Sequence, residues 1–345
     1  MSQGTVLHVF SWDKKFFEPF RSFIHKHFAD GRHNFIVHGV VTPSDVPYSS
    51  DTTIVANLLK NFIRFSVELH KADKVVLHCL FSHHLLYILA VQPWLLKKCY
   101  WVIWGGDLYV HLRPKKRWRN YKDEFFRKTV IKKMGHLVTY IEGDYRLAKQ
   151  WYGATGQHHE CLMYTSNLYI EYNEKDKQQK TINILVGNSA DPSNNHTEAF
   201  KSLEQFKEHD IKIIVPLSYG DQEYARKVIS EGVEYFGDKF KPLVEFMDFE
   251  KYLDLLAGID IAIFNHNRQQ AMGNTITLLG LGKKVYMRSN VTQWDFFESH
   301  KIKVFDIIDV NLQAMDIDEK KQNQIKVKEY FSLSTYKHQL QELFD

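Results

Sequence analysis

The feature that most constrains the fold of this 345-residue chain is the order in which its hydrophobic pattern changes period. Short apolar runs that read as buried strands alternate with stretches of helical period almost from end to end. Residues 6–10 read as a strand, 16–27 as an amphipathic helix and 34–40 as a second strand. A helix over 53–71, a strand over 74–80, a helix over 84–96 and a strand over 100–104 follow. Repeated β-α-β-α order implies right-handed crossovers and a parallel sheet covered by helices on both faces.

The stretch 164–180, YTSNLYIEYNEKDKQQK, is polar and charged and reads as a linker. Beyond it the order restarts, with strands over 182–186, 211–215, 243–246, 259–264 and 284–288 and helices over 197–208, 221–235, 249–256 and 275–282. The expected fold class is therefore α/β, with Rossmann-like parallel-sheet domains over 1–165 and 180–317. Residues 318–345 read as a helical segment that crosses back onto the first domain. Two such halves leave a cleft between them, and open α/β sheets take ligands at their strand C-termini.

Three strand ends carry chemistry. The strand over 182–186 empties into Gly187-Asn188-Ser189-Ala190-Asp191-Pro192-Ser193-Asn194-Asn195-His196 before a helix begins. Gly187 permits close backbone approach, and the amides and hydroxyls lie beside a helix N-terminus whose free N–H groups attract anions. The same residues also read as an elaborate helix cap. The strand over 259–264 ends in Asn265-His266-Asn267-Arg268-Gln269-Gln270-Ala271-Met272-Gly273-Asn274-Thr275. That loop supplies a cation, N–H donors and a glycine at a helix N-terminus, which together suit a diphosphate; a solvated polar loop is the alternative. The strand over 100–104 ends in Trp104-Gly105-Gly106-Asp107-Leu108-Tyr109. Asp107 there reads either as a general base tuned by burial or as the cap of a turn.

A fourth feature is basic. From Arg113 through Lys115, Lys116, Arg117, Arg119, Lys122, Arg127 and Lys128 to Lys132 and Lys133, ten cations face only Asp123 and Glu124, a local charge of about +8 in a chain of net +4. Trp118, Tyr121, Phe125 and Phe126 are interleaved, a pattern that fits a helix on an anionic membrane surface, a nucleic-acid contact or a solvated helix face.

Composition excludes several classes. At 44% hydrophobic and 25% charged residues the chain is globular, so disorder accounts for no large segment. Cys79, Cys99 and Cys161 are odd in number, far apart and set in apolar segments, which argues against a disulfide framework or zinc and for a reducing compartment. The N-terminal MSQGTVLHVFSWD lacks the basic and apolar regions of a secretory signal. The most apolar stretch, 85–96, is broken by Gln92 and Pro93 and is too short for a bilayer, so membrane contact is expected to be peripheral. His78, His83 and His84 show no metal spacing, His158 and His159 read as part of a Gly-rich turn, and Asp144 and Asp260 form no carboxylate pair. No Walker loop, GxGxxG or GxSxG is present. A mechanism free of metal and cofactor is expected.

With these residues in view, the chain resembles glycosyltransferase family 56, the bacterial 4-acetamido-4,6-dideoxy-D-galactose (Fuc4NAc) transferases of enterobacterial common antigen synthesis. The resemblance rests on WVIWGGDLY (101–109), ILVGNSADPSNNH (184–196), IIVPLSYG (213–220), FEKYLDLL (249–256) and the RQQAMGN loop with its helix (268–279). It implies a GT-B architecture, a dTDP-sugar donor held by the C-terminal domain, and an undecaprenyl-diphosphate-linked acceptor approaching the N-terminal one at the cytoplasmic face of the inner membrane. Gly187, Asn188, Ser189, Asp191, Asn194, Asn195 and His196 would then flank the diphosphate together with Asn265, Gln269, Gln270, Gly273, Asn274 and Thr275. Pro216, Ser218 and Tyr219 would add contacts, Phe246 and Asp248 would lie near the base, and Arg268 would neutralise the leaving dTDP. Trp104, Gly105, Gly106 and Tyr109 would form the acceptor side, with Asp107 as base. Lys115, Lys116, Arg117, Trp118 and Arg119 would meet the membrane, with no nucleic acid as partner. The N-terminal third matches weakly outside WGGDLY, which leaves an O-antigen or capsule repeat open as the acceptor. A nucleotide-sugar epimerase of the two-Rossmann type and a basic nucleic-acid-binding protein are the competing readings.

Overall fold

The structure, a computed structural model, describes residues 4–42, 44–46, 49–114, 117–172 and 181–345. The chain forms two compact units, one of Met1–Ser166 with Ser334–Asp345 and one of Asn167–Leu333.

The first unit holds β1 (Val6–Ser11), α1 (Lys14–His27), β2 (His33–His38), β3 (Thr52–Val55), α2 (Phe62–Lys71), β4 (Lys74–His78), α3 (His83–Ala90), β5 (Cys99–Val102), α4 (Trp118–Lys133), β6 (His136–Val138), α5 (Glu142–Tyr152) and β7 (Gln157–His159). Among the described residues its seven strands are all parallel, in the order β3-β2-β1-β4-β5-β6-β7. β1 lies between β2 and β4, with Val9 opposite both Ile36 and Leu77. A strand enclosed on both edges and both faces must be apolar along its length, as VLHVFS nearly is. Strand order reverses between β1 and β4, so the loops after β1, β4 and β5 gather where doubly wound sheets bind ligands. Val9, Leu77, Trp101 and Leu137 pack in the core of this unit.

The second unit holds β8 (Ile182–Val186), α6 (His196–Glu204), β9 (Ile211–Pro216), α7 (Gln222–Phe236), β10 (Phe240–Leu243), α8 (Phe249–Ala257), β11 (Ile261–Phe264), α9 (Met272–Gly280), β12 (Lys284–Met287), α10 (Thr292–Ser299), β13 (Phe305–Asp306) and α11 (Ile317–Tyr330). The order β10-β9-β8-β11-β12-β13 repeats the same winding, with the switch between β8 and β11. Ile184, Val186, Ile213, Val215, Ile263 and Tyr286 form its core, each fully buried aliphatic contributing about 1.5–3 kcal/mol.

Three expectations are corrected. The helix expected over 53–71 begins only at Phe62, because the β-branched run Thr52-Thr53-Ile54-Val55 pairs with β2 (Ile36 with Thr53, Val37 with Ile54). His158 and His159 lie on edge strand β7 rather than in a turn, and His136 Nδ1 on β6 lies 2.9 Å from His159 Nε2. Neither of those three-residue strands has a counterpart in the sequence reading. The segment from 318 onward is two helices: α11 stays with the second unit, and α12 (Leu333–Phe344) is counted with the first almost throughout. Among the described residues no helix is long and apolar enough to cross a membrane.

Candidate functional site

The loops after β8 and β11 form one bonded body. Asn194 is its hub and is fully buried. Its Oδ1 accepts from Asn188 N at 2.9 Å and from His266 Nε2 at 2.8 Å, and its Nδ2 donates to Asp191 O at 3.0 Å and Ser189 Oγ at 3.4 Å. Asn195 and Asn265 exchange amide-to-carbonyl bonds at 2.8 and 3.3 Å. Ser193 Oγ donates to Gln270 Oε1 at 2.7 Å, and Gln270 Nε2 donates to Asn188 Oδ1 at 3.0 Å. Asn188 Nδ2 donates to Tyr219 Oη at 2.9 Å, which ties in the loop after β9. That loop is also clamped through its backbone, since Ala190 N donates to Tyr219 O and Asp221 N to Ala190 O. Gly220, at φ +113°, permits this clamp, because a Cβ there would lie 2.7 Å from the carbonyl of Ala190.

The candidate donor-binding residues therefore separate into two layers. Gly187, Ser189, Asn194, His196, Asn265 and Thr275 are buried. Gly187 does not open space for a ligand: at φ +70° its missing Cβ faces His196 Nε2 at 2.5 Å and Asn194 Oδ1 at 2.7 Å. Thr275 Oγ1 donates back to Ala271 O at 3.0 Å, inside its own helix. Burial holds His196 down to about 4 and His266 down to about 3, so both rings are neutral donors and acceptors. Asn188, Asp191, Asn195, Arg268, Gln269, Gln270, Gly273 and Asn274 form the half-exposed layer.

Helix α9 starts at this layer. Its N-cap is Ala271 in the left-handed region at φ 58°, with no side-chain cap bond and no acidic residue in the first turn. The helix thus begins without a side-chain cap, its N-cap three residues after Arg268, whose Nη1 donates to Gln269 O at 3.0 Å; uncapped first-turn N–H groups and the positive end of a helix attract anions. Asn274 Nδ2 donates to Tyr252 Oη at 2.8 Å. Pro216 is buried at the end of β9, Ser218 is half-buried, and Tyr219 is exposed. Phe246 is 85% exposed, and Asp248 caps α8 by accepting from Lys251 N at 2.9 Å. His266, Tyr252 and Gln293, which bonds Gln270 N at 3.0 Å, were not among the expected site residues. The Asn-His-Asn run after an apolar strand was the only sequence signal for His266.

In the first unit the base expected at Asp107 is corrected. The carboxylate is fully buried and accepts from Leu80 N (2.9 Å), Trp101 Nε1 (2.8 Å), Trp104 N (3.0 Å) and Leu108 N (3.1 Å). Cys79, in the left-handed region at φ 78°, precedes Leu80 and turns the chain at this point. Burial pushes the Asp107 pKa above the usual carboxylate range against the N–H donors that favour the charge. A carboxylate with four internal donors and no solvent contact anchors a turn and does not reach a substrate hydroxyl. Tyr109 is also buried, its hydroxyl 3.4 Å from Asp144, and Gly105 is buried at φ +74°. Of the expected acceptor side, Trp104 and Gly106 remain half-exposed.

Helix α4 turns Val130, Ile131 and Arg127 inward and leaves Trp118 (83%), Tyr121 (55%) and Phe125 (67%) exposed. Their spacing of i, i+3, i+7 forms one stripe, with Arg117, Arg119 and Lys122 exposed beside it. Lys115 and Lys116 lie outside the described residues.

Anabaena HepE in complex with UDP-glucose is 11% identical to this chain, covers 99% of both chains and superposes at a TM-score of 0.68. WaaG, a glycosyltransferase involved in lipopolysaccharide biosynthesis, is 12% identical over 99% of this chain and 98% of its own, at a TM-score of 0.62. The sucrose-phosphate synthase of Thermosynechococcus elongatus is 9% identical over 99% and 98%, at 0.68. At such identity the likeness speaks to the fold, two Rossmann-like domains of the GT-B class. Residues 22–342 match the family described as 4-alpha-L-fucosyltransferase, glycosyl transferase group 56. With the match spanning both units and the fold agreeing, the chain belongs to the glycosyl transferase group 56 family and is a GT-B glycosyltransferase.

Proposed function

We propose that the protein transfers a 4-acetamido-4,6-dideoxygalactose residue from a dTDP-sugar to an undecaprenyl-diphosphate-linked oligosaccharide of a bacterial surface polysaccharide. In that reaction an acceptor hydroxyl attacks the anomeric carbon, the bond from that carbon to the diphosphate breaks, dTDP leaves with the electron pair, and the hydroxyl proton passes to the leaving diphosphate or to water. The observation that carries the reading is the α9 N-terminus, which lacks a side-chain cap and follows Arg268 within a loop bonded to that of β8. Helix N–H groups and a guanidinium stabilise the charge that grows on the leaving diphosphate, and they suit a reaction without a metal ion. The exposed Phe246 supports a stacking contact with the base. The aromatic stripe and flanking cations of α4 support peripheral attachment to an anionic lipid surface, as a membrane-borne acceptor requires.

The test is the thermal shift of the purified protein with dTDP, UDP, GDP and ADP at matched concentrations, with and without magnesium. A shift specific to dTDP, independent of magnesium and lost in Arg268→Ala, is the expected result. Equal shifts with every nucleotide, or none with any, would overturn the donor assignment.

A further inference from the structure

The loops after β1, β4 and β5 carry an aromatic group that the core of the first unit does not absorb. Trp104 lies just beyond β5, its ring centroid 4.5 Å from that of Phe16 in the first turn of α1 and 6.4 Å from that of Phe81 in the loop after β4. Phe81 is 43% exposed, and Trp104 and Phe16 are half-exposed. The three rings stand at the C-terminal edge of the sheet, at the reversal of strand order. Trp104 is held from below. Its Nε1 donates to Tyr164 Oη at 2.9 Å, Tyr164 Oη lies 2.7 Å from His78 Nδ1, and its N donates to Asp107 Oδ1 at 3.0 Å. An indole fixed at its ring nitrogen and backbone, with part of its surface in solvent, is a pre-organised surface rather than a loose residue of the core.

We propose that Trp104, Phe16 and Phe81 form a pyranose-stacking subsite for the acceptor, with Tyr164 as a positioning residue. The inference rests on the glycosyltransferase reading and adds which face of the acceptor sugar is read. The face of an aromatic ring carries partial negative charge, and the axial C–H bonds of a β-gluco-configured pyranose present a complementary apolar face. The polar rim of the sugar stays clear of the rings, so selection falls on sugars that offer such a face.

The probe is methyl N-acetyl-β-D-glucosaminide with the full chain, followed by saturation-transfer NMR. Transfer concentrated on the ring protons H1, H3 and H5 is expected. Trp104→Ala and, separately, Phe81→Ala should weaken binding by about threefold to tenfold. Tyr164→Phe should both weaken binding and speed hydrogen exchange at the Trp104 indole N–H, a readout that general loosening of the fold does not single out. Since Phe81 is well exposed, its variant stays informative if Trp104→Ala fails to fold. Unchanged affinity in Phe81→Ala and in any folded Trp104 variant, or no transfer from protein that still binds dTDP, would overturn the subsite. Sugar binding intact alongside absent nucleotide binding would instead sink the transferase reading and leave the stacking surface standing.

Discussion

Tyr164 Oη accepts a hydrogen bond from Trp104 Nε1 at 2.9 Å and lies 2.7 Å from His78 Nδ1, at the head of a chain of three buried imidazoles. His78 Nε2 lies 3.1 Å from His8 Nδ1, and His8 Nε2 lies 3.0 Å from His33 Nδ1, so each neighbouring pair shares one proton. His8→Phe keeps the ring against Phe35 (centroids 4.9 Å apart) but strands a nitrogen on each neighbour. Each stranded group costs about 1–3 kcal/mol, so urea unfolding of the first unit should show a loss of about 2–6 kcal/mol. A loss below 1 kcal/mol would show that the chain of rings is not bonded in this way.

Acid should destabilise both units well above the carboxylate range. Burial holds His33 and His38 in the first unit and His196 in the second down to about 4, against about 6.5 in the unfolded chain. The unfolded chain takes up these protons as pH falls below about 6.5, whereas the folded units refuse them until about 4. The stabilisation is therefore complete above 6.5 and is lost between 6.5 and 4, at up to about 1.4 kcal/mol per pH unit for each ring. Urea midpoints at pH 7.5 and 5.0 check this, and equal midpoints would contradict the neutral buried rings.

Asp107→Asn separates an anchor from a base. The amide NH₂ takes the place of one carboxylate oxygen, each of which accepts from two of the four backbone and indole N–H groups, so donors meet donors and the variant should lose at least about 2 kcal/mol of stability. A general base replaced in the same way would leave stability intact and lower turnover alone.

The two layers of the donor site respond differently to truncation. Asn194→Ala removes the hub and should lower the melting temperature together with dTDP binding. Arg268→Ala should leave the melting temperature of the free protein within a degree or two and lower turnover by about 10²–10³.

Trp118→Ala with Phe125→Ala should cut partitioning onto vesicles of anionic lipid by about tenfold or more, since each exposed ring offers about 1.5–3 kcal/mol of burial. Sedimentation at low and high salt distinguishes the loss of apolar insertion from the loss of charge attraction.

The alternation of periods was enough to read two doubly wound units, because enclosed parallel strands such as ILV in β8 and IAIF in β11 need unbroken apolar runs. β6 and β7 were not legible: three residues with His136, His158 and His159 among them have neither length nor apolar pattern. β7 lies at the sheet edge, and the Tyr100 ring stacks on His136 at 3.9 Å. The loops of the donor site could be located from their order along the chain. Which amides point inward could not, because Asn188 and Asn194 are the same kind of residue in the sequence and differ only in what surrounds them. The burial of Asp107 was hidden for a similar reason, since its donors come from Leu80, Trp101, Trp104 and Leu108, and Leu80 lies 27 residues away.

The Ala190–Gly220 bridge bears on how this site could be redesigned. The two loops share main-chain bonds, so neither keeps its shape when exchanged alone for a segment of another protein. Grafts that alter sugar-nucleotide preference must carry residues 187–196 and 217–221 as one cassette, with Asn188 and Tyr219 exchanged together because their side chains are bonded to each other.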